Sequence, residues 1–133
     1  MEDNTTTIEQ LKKIAEKFID DRQWRPFHAP KDLSMNLAIE AAELMEKFLW
    51  LTNEESFAEV EKNRQEIEDE LADVCFSVLC FANAAKIDVS KAFTYKLNET
   101  AKKYPIDKVK GNHGKYTKYQ ENKKKFKADN TKV

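Results

Sequence analysis

Glycine and proline are almost missing from this chain, with two and three residues respectively among 133. Pro26 and Pro30 bracket one loop, while Pro105, Gly111 and Gly114 punctuate the C-terminal end, so no helix breaker falls between Lys31 and Tyr104. No apolar–polar alternation runs long enough for a strand, which excludes a sheet architecture and predicts an all-α fold. Cysteine is scarce too. Cys75 and Cys80 form neither a C-x-x-C metal pair nor a disulfide framework, and their apolar setting predicts two buried free thiols in a reducing compartment. No run of 18 consecutive apolar residues exists, and Met-Glu-Asp-Asn-Thr at the start lacks a basic-then-apolar signal pattern, so the expectation is a soluble, cytoplasmic protein with no membrane partner. A net charge of −1 excludes a molecule built as a whole to coat nucleic acid.

What is present is a charged, aromatic chain of one-domain size. Charged residues make up 35% and hydrophobic ones 41%, with eight Phe, four Tyr and two Trp, enough to build a core. Charge is unevenly spread: residues 1–101 hold 12 basic and 21 acidic groups, and residues 102–133 hold 11 and 3. The lysine-rich end reads as a basic tail, disordered over residues 120–133, following a domain at 1–119.

Four helices are expected. Thr7 and Gln10 fit a capping box opening the first, whose stripe of Ile8, Leu11, Ile14, Phe18 and Ile19 ends near Asp21. A loop from Gln23 to Lys31 leads to a second helix over about 34–51. Thr52 and Glu55 form another capping box, opening a third helix expected to reach about Lys86. Its second half, Val74 to Ala85, is apolar nearly all round, which predicts burial on every side and a second copy of the chain to complete the enclosure. The fourth helix starts near Asp88 or Ser90 and stops before Pro105.

Two carboxylate pairs carry the chemistry. Glu40 and Glu43 lie three apart on the second helix among Leu37, Ile39, Ala41, Ala42 and Leu44; Glu70 and Asp73 repeat the spacing on the third. Such pairs share a helix face and repel. No Lys or Arg three or four positions away looks placed to neutralise both members of a pair, so four acids packed face to face require a cation. Oxygen-only ligands suit Mg²⁺, with Mn²⁺ as the alternative. A di-iron bundle needs Glu-x-x-His, and His28 and His113 both fall in loops. The competing reading is of ordinary solvent-facing acids. A Mg²⁺ that keeps its waters is a usual partner of substrate phosphates. Trp24, Phe27 and His28 in the first loop and Trp50 at the end of the second helix offer faces and edges for a base, or else pack as core and pin the loop.

These residues resemble the all-α nucleotide pyrophosphohydrolases of the MazG-like superfamily, and within it the dCTP pyrophosphatase branch. The resemblance spans Ile8 to Tyr119 and rests on Arg22-x-Trp24-x-x-Phe27-His28-x-Pro30, on Glu40-x-x-Glu43-Leu44 with Trp50, and on Glu70-Leu-x-Asp73-Val74. It continues through Lys96, Lys103-Tyr104-Pro105 and Gly111-x-x-x-Lys115-Tyr116. It implies a four-helix MazG-like bundle completed by dimerisation, with some dimers paired into tetramers, and Mg²⁺ on Glu40, Glu43, Glu70 and Asp73. It further implies nucleotide contacts from Trp24, Arg25, Phe27, His28, Trp50 and Lys96, with Glu43 the first choice to activate water. The chain departs from the family's pattern at Ala15, Ser77 and Thr100, positions that bear on base selectivity and leave the acids intact. The expected activity is hydrolysis of dCTP or a related deoxynucleoside triphosphate to the monophosphate and pyrophosphate. Its alternatives are dUTP, dATP or phosphoribosyl-ATP as substrate, or a non-catalytic helical interaction module whose basic tail, interleaved with Tyr116, Tyr119 and Phe126, grips nucleic acid.

Overall fold

The computed structural model describes residues 1–111, all of whose regular elements are helical. Helix α1 (Ile8–Asp21) opens on the expected capping box: Gln10 N–H donates to Thr7 Oγ1 at 3.2 Å, and Thr7 N–H to Gln10 Oε1 at 2.7 Å. It closes without glycine. Gln23 takes the left-handed conformation (φ 55°), so that Trp24 N–H reaches back to the Ile19 carbonyl at 3.0 Å and Gln23 N–H to Asp20 at 2.9 Å. This closure sets down Trp24, from which a single 3₁₀ turn (Arg25–Phe27) leads onward.

Helix α2 (Pro30–Glu46) begins and ends about one turn before the expected 34–51. Pro30 sits at the first helical position, where its fixed φ and missing N–H cost nothing. Beyond Glu46 the ladder gives way to i→i+3 bonds from Phe48, Leu49 and Leu51, and Trp50 lies at φ 65° in that loop. The single long third helix is instead two. Helix α3 (Asn53–Lys62) opens on the expected Thr52–Glu55 box, and α4 (Arg64–Ala84) follows a break at Asn63. Asn63 leaves the helical region (φ −117°, ψ 36°) while its N–H still donates to the Glu59 carbonyl at 2.9 Å and its side-chain amide to Glu59 Oε1 at 2.5 Å. Helix α4 ends as α1 does, with Lys86 left-handed (φ 55°) and Ile87 N–H on the Ala82 carbonyl at 2.8 Å.

Met1–Val89 forms one compact unit. Its core is small: Ala15 and Ile19 of α1, Leu33 of α2, and Leu79 and Cys80 of α4, with Leu11, Phe76 and Phe81 packed against them. Burying such a Leu or Ile contributes about 1.5–3 kcal/mol each. Helix α2 packs chiefly on α4, and this pairing carries the acids. Within the single chain α4 is not enclosed on every side: Ser77, Leu79, Cys80 and Ala82 are buried, but Cys75 and Val78 are exposed. The expectation of two buried thiols therefore holds for Cys80 alone, because Cys75 lines an open groove between α1 and α4.

The second unit starts at Ser90 and holds most of α5 (Val89–Lys103) and α6 (Ile106–Val109), a short helix after Pro105 that the sequence had not indicated. The Gly111–Tyr116 motif beyond its first residue, His113 and the expected tail at 120–133 lie outside the described residues.

Candidate metal and nucleotide site

Spacing on α2 puts Glu40 and Glu43 on one face, and the α2–α4 pairing brings Glu70 to them. One carboxylate oxygen from each lies within 4.8 Å of the others. Glu40 and Glu70 are half-buried and Glu43 is exposed. Repulsion by Glu40 pushes the Glu43 carboxyl above its usual range, with desolvation and Glu70 adding to the effect. Three all-oxygen donors held this close match a hard divalent cation in chemistry and spacing. Asp73, one turn beyond Glu70 and shorter by a methylene, does not join them; it borders an apolar groove between α1 and α4 with Leu11, Phe18 and Phe76.

Two residues absent from the sequence reading hold the cluster. Asn36, one turn before Glu40, donates its side-chain amide to Glu40 Oε1 at 3.1 Å and to the hydroxyl of buried Ser77 at 2.9 Å. Lys47, one turn beyond Glu43, places Nζ 3.2 Å from both Glu66 and Glu70. Lys47 lies four positions from Glu43 but acts across to α4, where it reaches one member of the second pair, Glu70, and so neutralises both members of neither pair. Its pKa is raised by those hydrogen bonds, first Glu70 and then Glu66. For Asn36 the i,i+4 spacing to Glu40 was the available signal, whereas the partners of Lys47 lie on α4 and no local spacing marks them.

The loop after α1 builds a cleft of about 360 Å³ lined by Trp24, Phe27, His28, Asp32, Asn36 and Ser77, among others. Its volume falls in the range of small-ligand sites. Trp24 stacks on His28 with ring centroids 6.4 Å apart at 13° and meets Phe18 edge-on. His28 Nδ1 lies 2.7 Å from the Trp24 carbonyl oxygen. A carbonyl only accepts, so Nδ1 carries the proton and, in the neutral ring, Nε2 is left as an acceptor. Asn36 and Ser77 belong both to this cleft and to the hydrogen bonds that reach Glu40, which makes cleft and carboxylates one continuous site.

The other expected contacts are placed differently. Arg25 is clamped back onto α1 by Asp20 and by Glu16, the latter at 2.9 Å. Trp50 is 96% exposed in the loop after α2. Lys96 is exposed on α5, in the second unit.

The profile of the MazG-like family matches residues 35–119, a span that includes Glu40, Glu43, Glu70 and Asp73. The chain belongs to the MazG-like family. It is 28% identical over 113 residues to dCTP pyrophosphatase 1 of Bos taurus, covering 84% of this chain and 67% of that protein. The Homo sapiens protein of the same name is also 28% identical, with 66% of its length covered, so the chain spans about two thirds of these relatives. Among solved structures, a pyrophosphatase from Archaeoglobus fulgidus superposes with a TM-score of 0.72 and 34% identity, over 79% of this chain and 98% of that one. The chain is thus similar to proteins named for pyrophosphate chemistry. The family match begins after the Trp24–His28 loop, so that wall of the cleft lies outside it, whereas Asn36, Phe76 and Ser77 lie within it.

Proposed function

We propose that this MazG-like protein is a Mg²⁺-dependent nucleoside triphosphate pyrophosphohydrolase that takes dCTP or a related deoxynucleotide to the monophosphate and pyrophosphate. The observation that carries this reading is the meeting of three carboxylates from two helices beside an aromatic cleft. Glu40, Glu43 and Glu70 are the cation ligands in this reading, and Asp73, which borders the α1–α4 groove, would join them only after moving; Mn²⁺ would fit the same donors. A bound divalent cation supplies the charge that neutralises the triphosphate and lowers the barrier to attack on phosphorus.

The protein's own groups do the rest. Glu43, the most exposed of the three and the one whose proton affinity is raised, orients a water and takes its proton. As the water oxygen bonds to the phosphorus, the bond to the bridging oxygen breaks and pyrophosphate leaves with that electron pair. Trp24 and Phe27 offer ring faces to the base. The acceptor left on His28 Nε2 favours a base edge bearing an amine, as in cytosine or adenine, over the carbonyl of uracil. Trp50 offers a free face to a base or to a neighbouring subunit, and Lys96 a point charge for phosphate. The same reading includes a homodimer, two of which pair into a tetramer, and a cytoplasmic location, where free thiols stay reduced.

Glu43→Gln tests the mechanism. Because a carboxyl with a raised pKa destabilises the fold at neutral pH, removing its charge leaves the metal-free protein's melting temperature unchanged or higher. Turnover at saturating Mg²⁺ is expected to be lost. An active Glu43→Gln enzyme would contradict the assignment.

A further inference from the structure

We propose that Lys47 is a resident counterion of the acid cluster, exchanged for the divalent cation at Glu70 and thereafter turned toward the incoming phosphates. The inference rests on the metal-site reading above. Lys47 caps the C-terminal end of α2, and its Nζ lies 3.2 Å from Glu70 Oε1 and 3.2 Å from Glu66 Oε2. The Lys47 and Glu70 side chains are only 27% and 20% exposed, so this pair is screened less than a surface pair. Glu70 is therefore shared: one of its oxygens faces the ammonium while the same carboxylate contributes to the 4.8 Å cluster.

A divalent cation held by Glu40, Glu43 and Glu70 would carry twice the charge of the ammonium and would repel Lys47 from the carboxylate the two share. Glu66, one turn earlier on α4 and 66% exposed, keeps hold of Lys47 when Glu70 changes partners. A lysine is suited to such an exchange, being a compact charge on a flexible four-carbon stem. The consequence is a difference in sign between two ligands. The ammonium opposes the bare metal ion, but it favours a metal–triphosphate complex, whose net charge is negative. Lys47 thus couples metal retention to the arrival of substrate.

The test compares the full-length wild type, Lys47→Met and Lys47→Arg by calorimetric titration. One series adds Mg²⁺ alone; the other adds non-hydrolysable α,β-imido-dCTP to the Mg²⁺-saturated protein. Lys47→Met is expected to bind Mg²⁺ alone roughly three- to tenfold tighter and the nucleotide analogue roughly three- to tenfold weaker, with Lys47→Arg close to wild type in both. Weakening of both ligands would mean that Lys47 merely props the site up, and no change in either would mean that it does nothing there; both outcomes overturn the proposal. If Lys47→Met fails to fold by circular dichroism, Lys47→Gln takes its place. A wild type that takes up neither Mg²⁺ nor Mn²⁺ would fail the metal-site reading itself, a result distinct from any change among the variants.

Discussion

Arg25 shows how one residue's partners redirect its role. Asp20 and Glu16 hold the guanidinium against α1, and the hydrogen bond from Arg25 keeps the Asp20 carboxyl below its ordinary 3.8. The pair therefore contributes stability above pH 3.8, and that contribution is lost as pH falls through the lowered Asp20 value. An NMR titration of the Asp20 carboxyl should place its midpoint below 3.8 in the wild type and return it to the ordinary range in Arg25→Met. An unchanged midpoint in the variant would show that the clamp does not exist in solution. Legibility at this scale divides by distance along the chain. Glu40 and Glu43 were readable because both acids sit one turn apart among apolar residues. Lys47 and the link from Asn36 to Ser77 were not, since Glu70, Glu66 and Ser77 lie on another helix and only the α2–α4 packing brings them within 3.2 Å.

At the scale of elements, helix starts were more legible than helix ends. The boxes at Thr7 and Thr52 use side chains whose spacing is written in the sequence. The ends at Gln23 and Lys86 adopt left-handed conformations without the glycine that usually marks them, and the break at Asn63 comes without proline. Helix α4 carries a prediction of its own. Leu71, Cys75 and Val78 leave an apolar strip of α4 open in the single chain, the kind of surface that soluble proteins cover. The wild type is expected to sediment as at least a dimer at micromolar concentration. Val78→Lys, at a partly exposed position, should give a monomer that keeps its helix content. A wild-type monomer would contradict the dimeric reading.

At the scale of the molecule, every regular element among the described residues is helical, as composition led one to expect, and none of those helices is long and apolar enough to cross a membrane. The division of the chain at Ser90 was not legible, because neither glycine nor proline marks it. The acidic excess over residues 1–101 acquires a purpose in the carboxylate cluster, which concentrates negative charge where a cation and a polyphosphate would meet. The central claim is that this cluster and its cleft cut a nucleoside triphosphate between the α and β phosphorus atoms. Product analysis after incubation with dCTP, dUTP, dATP and dTTP, with Mg²⁺ and then with excess chelator, tests it most directly. The account predicts monophosphate and pyrophosphate in equal amounts, dCTP turned over faster than dUTP or dTTP, and no product once the metal is removed. Diphosphate and inorganic phosphate as products, or turnover that survives the chelator, would contradict it.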